Sequence, residues 1–324
     1  MTWRRNMIRV KITLLLVLTA ILSHGCSNCG NSKSAGKETA KPRVALIMKS
    51  LANEFFLTME EGAQAHNAVH PEYTLFTDGI KDELDVNRQI QLVEQMMARQ
   101  INAIVIAPAD SKALIPVCHR AMKSGISVVN IDNKFDKEVL SERGIHIPFV
   151  GPNNRKGAYL AGSYLAKQLA KNDLVAIIEG IPSAYNGIQR KLGFEDAMNE
   201  AEIHIVSSQV ANWEMAKANR IASAIITEHP NLKAILCAND SMALGTVAAL
   251  RAAGKLEQIQ VVGFDNISAA QELLNKKELL ATIDQHADQL AVFGIEFALG
   301  MLESGEIPSD HETPVDLITA TAAT

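Results

Sequence analysis

Side chains able to hold a polar molecule stand at or just past the ends of a series of short aliphatic runs. Lys49, Asn53, Phe55 and Phe56 follow RVALIM, Asp132 and Asn133 close SVVNID, and Asn186 and Arg190 follow LVAIIEG. Trp213 follows IHIVSSQ, and Asn239, Asp265 and Gln285 lie at the ends of AILCAND, VVGFD and ATIDQ. Carboxylates, amides and cations interleaved with flat aromatic faces suit a polyhydroxylated ligand. Hydroxyls both donate and accept, so they want planar bidentate partners, while the C–H faces of a ring want flat apolar walls. Three or four hydrogen bonds to charged partners, about 1.5–3 kcal/mol each, suffice for micromolar binding after ordering costs. No catalytic step is needed to account for such a set. The same residues also have plainer uses: Phe55 and Phe56 as core at a helix start, Asp265 and Asn239-Asp240 as turn or helix caps, Arg190 as an exposed helix charge, Gln285 as a solvated loop residue.

The elements that must position these side chains alternate. The first series of strands is RVALIM (43–48), YTLFTD (73–78), AIVIAPA (103–109), SVVNID (127–132) and PFVG (148–151). A second series has the same rhythm: LVAIIEG (174–180), IHIVSSQ (203–209), AILCAND (234–240), VVGFD (261–265) and ATIDQ (281–285). Between strands lie helical patterns such as Val86, Ile90, Val93 and Met97, spaced by three and four. Repeated strand–helix–strand units predict parallel sheets covered on both faces, and two series of this length predict two doubly wound α/β domains. In open parallel sheets ligands sit beyond the carboxyl ends of the strands, which is where the polar residues lie. Asn153 and Asn154 read as hinge or turn residues.

Composition narrows the function. Of 324 residues, 48% are apolar and 21% charged, which describes a globular chain. Lys and Arg number 31 against 36 Asp and Glu with no long basic run, which argues against nucleic acid. Cys26, Cys29, Cys118 and Cys237 lack the clustering of a disulfide scaffold or zinc site, and Cys118 and Cys237, in apolar surroundings, read as buried thiols. The first strand runs into Lys49-Ser50-Leu51 instead of a Gly-x-Gly-x-x-Gly turn, and no Walker loop or Gly-x-Ser-x-Gly elbow appears. The chain therefore reads as a binding protein and not an enzyme, with no metal and no cofactor.

Residues 1–25 carry Arg4, Arg5, Arg9 and Lys11 and no acid, ahead of the apolar run ITLLLVLTAIL (12–22). That run is short for a bilayer, and its basic flank and small-residue exit predict an export signal. Ser23-His24-Gly25-Cys26 resembles a bacterial lipoprotein cleavage site, which implies lipid on Cys26 and a membrane-anchored place in the periplasm or cell envelope. Ser23 and Gly25 also suit ordinary signal peptidase, with Cys26 and Cys29 then a local disulfide or chance. Residues 26–42 are polar and read as a flexible tether. Loss of the four leader cations leaves 27 basic against 36 acidic residues, an acidic mature chain.

From about Arg43 onward the sequence resembles the periplasmic sugar-binding proteins of the ribose, allose and galactose group, whose fold also serves the sugar-sensing cores of LacI-type repressors. The resemblance rests on SLANEFF, NIDNKFD, AIIEGIPSAYNGIQRKLGFEDAM, SSQVANW, ILCANDSMALG, VVGFD and TIDQ, in family order. It implies that Asn53, Phe55, Phe56, Asp132, Arg190, Trp213, Asn239, Asp265 and Gln285 surround a sugar, with the aromatics as walls and the charged and amide groups on hydroxyls. Ribose-binding members follow the Asp132 equivalent with arginine, where this chain has Asn133. Lys49, Trp213 and Cys237-Ala238-Asn239-Asp240 look more like the allose branch, which favours a hexose or a related ketose, pentose or polyol. The family also implies a monomer of two lobes, residues 43–151 with 286–315 and residues 152–285 with 316–324, joined by three hinge crossovers near Gly151, Gln285 and Asp316. Its implied partner is the permease of an ABC importer; the alternative is a chemoreceptor or sensor kinase. A transcription regulator of this fold would carry a DNA-binding headpiece where this chain has an export signal.

Overall fold

The computed structural model describes residues 40–320. The expected export signal, Cys26, Cys29, nearly all of the expected tether and residues 321–324 lie outside the described residues.

The first sheet is built from β1 (Arg43–Ser50), β2 (Thr74–Ile80), β3 (Ala103–Ile106), β4 (Ser127–Ile131) and β5 (Phe149–Pro152), with α1 (Glu54–Val69), α2 (Val86–Ala98), α3 (Ile115–Lys123) and α4 (Lys137–Glu142) between them. The second is built from β6 (Leu174–Glu179), β7 (His204–Val210), β8 (Leu232–Cys237), β9 (Gln260–Val262) and β10 (Ala281–Asp284). Its helices are α5 (Asn154–Ala166), α6 (Tyr185–Glu200), α7 (Met215–Glu228), α8 (Asp240–Ala252) and α9 (Ser268–Asn275). The chain ends in α10 (Ala287–Ser304), β11 (His311–Thr313) and β12 (Asp316–Thr319). Central strands such as β1 and β3 are aliphatic and buried along their length because helices cover both faces of the sheet. All ten strands expected from the aliphatic runs are present. β11 and β12 escaped the sequence reading, being only three and four residues long, too short to stand out as aliphatic runs.

Strand order is β11-β5-β4-β3-β1-β2 in one sheet and β12-β10-β9-β8-β6-β7 in the other. The α/β lobes are thus two parallel sheets of the same winding, with one exception: β12 runs antiparallel to β10 at the sheet edge. The chain passes between sheets three times, at Asn153 after β5, at Gln285-His286 after β10, and at Pro314-Val315 between β11 and β12. After the second passage α10 packs on α1, β3 and β4, which returns it to the first sheet.

Helix α2 forms where the periodicity of Val86, Ile90, Val93 and Met97 placed it, but its most buried face is turned. Gln89, Leu92, Val93 and Met96 face inward, while Val86, Ile90 and Met97 are half-buried at the flank. Gln89 is tolerated there because its amide donates to the Met48 and Ala107 carbonyls and accepts from the Ala109 N–H. Cys118 and Cys237 are buried free thiols, and burial pushes both up to about 12.

Candidate functional site

The carboxyl ends of both sheets face one cleft, and unusual backbone geometry aims the side chains there. Asp132, Asn212, Trp213, Asp265, Asn266 and His286 all have positive φ, a conformation that L-residues adopt at a cost. Each follows β4, β7, β9 or β10 directly or within a few residues, so the strain sits where a strand must end abruptly and turn a side chain inward. Between the lobes lies a narrow cavity, closed down to about 10 Å³. Its walls are Lys49, Asn53, Phe55, Phe56, Glu83 and Asp132 from one lobe, and Asn186, Arg190, Trp213, Asn239, Asp265 and Gln285 from the other.

Each lobe brings one buried ion pair. Lys49 Nζ lies 2.9 Å from Asp132 Oδ2, with both side chains at most 3% exposed. Nζ also sits 5.7 Å from the centre of the Phe56 ring. Asp132 Oδ2 is in electrostatic contact with the ammonium but receives no hydrogen bond of good geometry, which leaves lone-pair capacity for a donor in the cleft. Across the cleft, Arg190 Nη1 donates to Asp265 Oδ1 at 3.2 Å and to the Ala238 carbonyl at 2.9 Å, and Nε donates to Asn154 Oδ1 at 2.8 Å. The guanidinium stacks on Phe264, its carbon 3.7 Å from the ring centre, and lies 5.5 Å from the centre of Trp213. Gln285 Nε2 donates to the same Asp265 oxygen at 2.7 Å, so neither bond uses Oδ2.

Burial pushes the Asp265 carboxyl well above the usual carboxylate range; Arg190 opposes this, while Asp240 and Asp132 add to it. Glu83 is likewise raised by burial, against Lys49 and Asn53. Both shifts mark a water-poor site where a hydrogen bond to a charged group is worth more than in bulk water. The Trp213 indole N–H and Gln285 Oε1 are buried without a partner. An unpaired buried donor and acceptor beside aromatic faces are what a hydroxylated ligand satisfies. Gly180 makes the seat for Trp213, since a Cβ there would collide with the indole ring.

Of the twelve residues the sequence pointed to, eleven line this cavity. The other, Asn133, is fully buried behind it: Nδ2 donates to the Pro108 carbonyl and Oδ1 accepts from Ser111 Oγ and the Asn186 N–H. Several residues serve both as lining and in the plainer roles. Asn53 caps α1 and donates to Glu83 at 3.3 Å, Asn239 caps α8, and Phe55 and Phe56 belong to the core cluster as well as the wall. Arg190 is buried and paired, not an exposed helix charge. Asn153 caps α5 at the first passage between sheets, whereas Asn154 is buried and holds Arg190. Glu83 was missed; it lies three residues past β2, so the rule of looking past every strand, applied to the second as to the others, finds it.

The sequence pattern of the periplasmic binding protein domain matches residues 44–306. A D-ribose/D-allose-binding protein from Pseudomonas aeruginosa is 53% identical, the alignment covering 94% of this chain and 97% of that protein. An ABC transporter solute-binding protein from Burkholderia multivorans, solved with an unknown ligand represented as α-D-erythrofuranose, superposes with a TM-score of 0.84 at 52% identity over 86% of this chain and 99% of that one. Another, from Actinobacillus succinogenes with bound D-allose, gives 0.82 at 37% identity over 86% and 98%.

Proposed function

This chain belongs to the periplasmic binding protein domain family, and from that premise we propose that it captures a monosaccharide or related polyol between its lobes and delivers it to the permease of an ABC importer. The observation that carries the choice of solute is the cavity wall. Two buried ion pairs, one per lobe, and the unpaired Trp213 N–H and Gln285 Oε1 stand among three aromatic faces. D-allose, bound by one similar structure, named alone in one relative from Escherichia coli and with D-ribose in the Pseudomonas relative, favours a hexose. The three passages between sheets act as hinges between residues 43–151 with 286–315 and residues 152–285 with 316–324. A ligand touching both lobes favours the closed form by its contacts there, and the closed form is what a permease reads. Lys49, Asp132 and Glu83 engage hydroxyls from one lobe, and Arg190, Asn239, Asp265 and Gln285 from the other. Trp213, Phe55 and Phe56 cover the ring. The protein works as a monomer tethered through lipid on Cys26.

A thermal-shift series over D-allose, D-ribose, other hexoses, ketoses and polyols tests this. A ligand at 100 times its dissociation constant adds about 2.7 kcal/mol of stability, a clear rise in midpoint. No shift with any of them overturns the reading.

A further inference from the structure

Helix N-termini in this protein differ: α3, α7 and α10 have no side-chain cap from their N-cap residue, and the others are capped in two ways. α1, α2, α4, α5 and α8 each start with an Asn or Asp of their own whose side chain accepts a first-turn N–H. α6 and α9 start at Ala184 and Ile267, which have no such side chain, although both helices begin at the cleft. Three of their N–H groups are satisfied from the opposite lobe, while the Ile267 N–H is held by Asp240 and the Gly187 N–H by Asn186 of the same lobe. Glu54 Oε1, in the first turn of α1, accepts from the Ser268 N–H at 2.7 Å. Ser111 Oγ, in the loop after β3, accepts from the Tyr185 N–H at 2.9 Å, and Asn133 Oδ1 accepts from the Asn186 N–H at 3.2 Å. Ser111 Oγ also donates to Asn133 Oδ1, which fixes the pair.

We propose that Glu54, Ser111 and Asn133 are positioning residues that cap α6 and α9 only when the lobes meet, so that part of the closure energy comes from helix capping and is independent of which sugar is bound. With the lobes apart, those N–H groups turn to water and the two helices lose their caps. Bringing the lobes together supplies one carboxylate, favoured at the positive end of α9, and two side-chain oxygens at the end of α6. Asn133 thus acts on the ligand through α6, which carries Asn186 and Arg190, and not by touching it. This capping rests on the lobe motion proposed above but involves no ligand group.

The test uses Glu54→Ala, Ser111→Ala and their combination, with Glu54→Gln as the conservative control that keeps an acceptor. D-allose is the probe, followed by calorimetry and by its dissociation rate. In parallel, ¹⁹F NMR of protein carrying 5-fluorotryptophan follows Trp213, whose indole faces groups of both lobes and so reports closed and open forms without any ligand. Each alanine should weaken D-allose about three- to tenfold through a faster off-rate, the pair should multiply, and Glu54→Gln should stay within about twofold of the parent. The closed resonance of the ligand-free protein should shrink by the same factors while its melting midpoint holds. Unchanged affinity overturns the proposal, and so does a fall in ligand-free melting that matches the lost affinity, since that is fold support. If D-allose does not bind the parent, the sugar assignment fails, and the ligand-free resonances alone decide the capping: identical spectra for parent and double variant overturn it.

Discussion

Arg190 Nη1 and Asp265 Oδ1 meet at 3.2 Å with neither side chain more than 5% exposed, and this pair anchors one wall of the cleft. Buried pairs of this kind are sensitive to loss of one partner, because the other is left as an uncompensated charge. Asp265→Ala therefore has two consequences. Sugar binding should weaken by about 2–4 kcal/mol, from a lost charged acceptor, and the ligand-free protein should melt lower because Arg190 loses its counter-ion and Gln285 its acceptor. Calorimetry and thermal unfolding of the same variant check both. Unchanged affinity with a lowered melting point would place Asp265 in the scaffold alone.

On the opposite wall, Glu83 lies beside Lys49 and Asn53 of its own lobe, and its burial holds it toward the protonated form. Glu83→Gln keeps the size and one acceptor while removing the ionisable group. The expected result is a change in preference between sugars differing at one hydroxyl, larger than the change in melting midpoint, read by competition calorimetry. A uniform loss across all sugars would make Glu83 a support for Asn53 instead of a selector.

The fold was readable in the sequence because doubly covered parallel strands must be aliphatic throughout, so RVALIM or AIVIAPA stands out against its turns. The cavity lining was readable for a related reason: strand ends aim at the cleft, so residues such as Asp132 and Asp265 could be placed there by position. What escaped lacks that signal. β11 and β12 gain their pairing from strands already in place and need no apolar run of their own. Gln89 looks like a surface residue until its three backbone partners, from β1 and the loop after β3, are known. Asn133 has the right type and position for ligand contact, and only the meeting of α6 with the loop at Ser111 shows why its side chain is taken up elsewhere.

Export makes a separate prediction. With Cys26 lipidated, Cys26→Ser should leave the protein unprocessed or release it into the soluble periplasmic fraction, seen by fractionation and by mass of the mature N-terminus. An unmodified wild-type N-terminus excludes the anchor and leaves ordinary signal cleavage.

Trp213 is one of two tryptophans in the chain, and the other, Trp3, lies in the segment proposed as an export signal; in protein lacking that segment, emission reports the cleft alone. Saturating sugar should shift its intensity or wavelength. Trp213→Ala should lose about 1–3 kcal/mol of binding through lost ring contact. Gly180→Ala tests the same wall without touching the ligand: its methyl group would collide with the indole, so the ring must move, emission of the free protein should change, and affinity should fall about tenfold or more. Normal affinity in both variants would return Trp213 to the core.

Asp240 carries a pH prediction that does not depend on any ligand. Its two oxygens accept from the Thr282 hydroxyl and the Ile267 N–H, yet burial outweighs these bonds and pushes the carboxyl from 3.8 up to about 6. The folded state therefore holds the proton more tightly than the unfolded chain. The stabilisation from this group is complete below the unfolded value and is lost as pH rises through about 6, a difference of roughly 3 kcal/mol. Asp240→Asn removes the titration: its carbonyl can accept from Ile267 while its NH₂ donates to the remaining lone pair of the Thr282 oxygen, which also accepts from the Asn266 N–H. Gly263 leaves no room for the side chain to move away, since even a Cβ at that position would collide with Asp240 Oδ1. Denaturant unfolding of both proteins at about pH 4, 5.5 and 7 should show the asparagine variant gaining on the parent as pH rises across that window. Parallel curves would mean that Asp240 stays ionised throughout, held by its hydrogen bonds against the cost of burial.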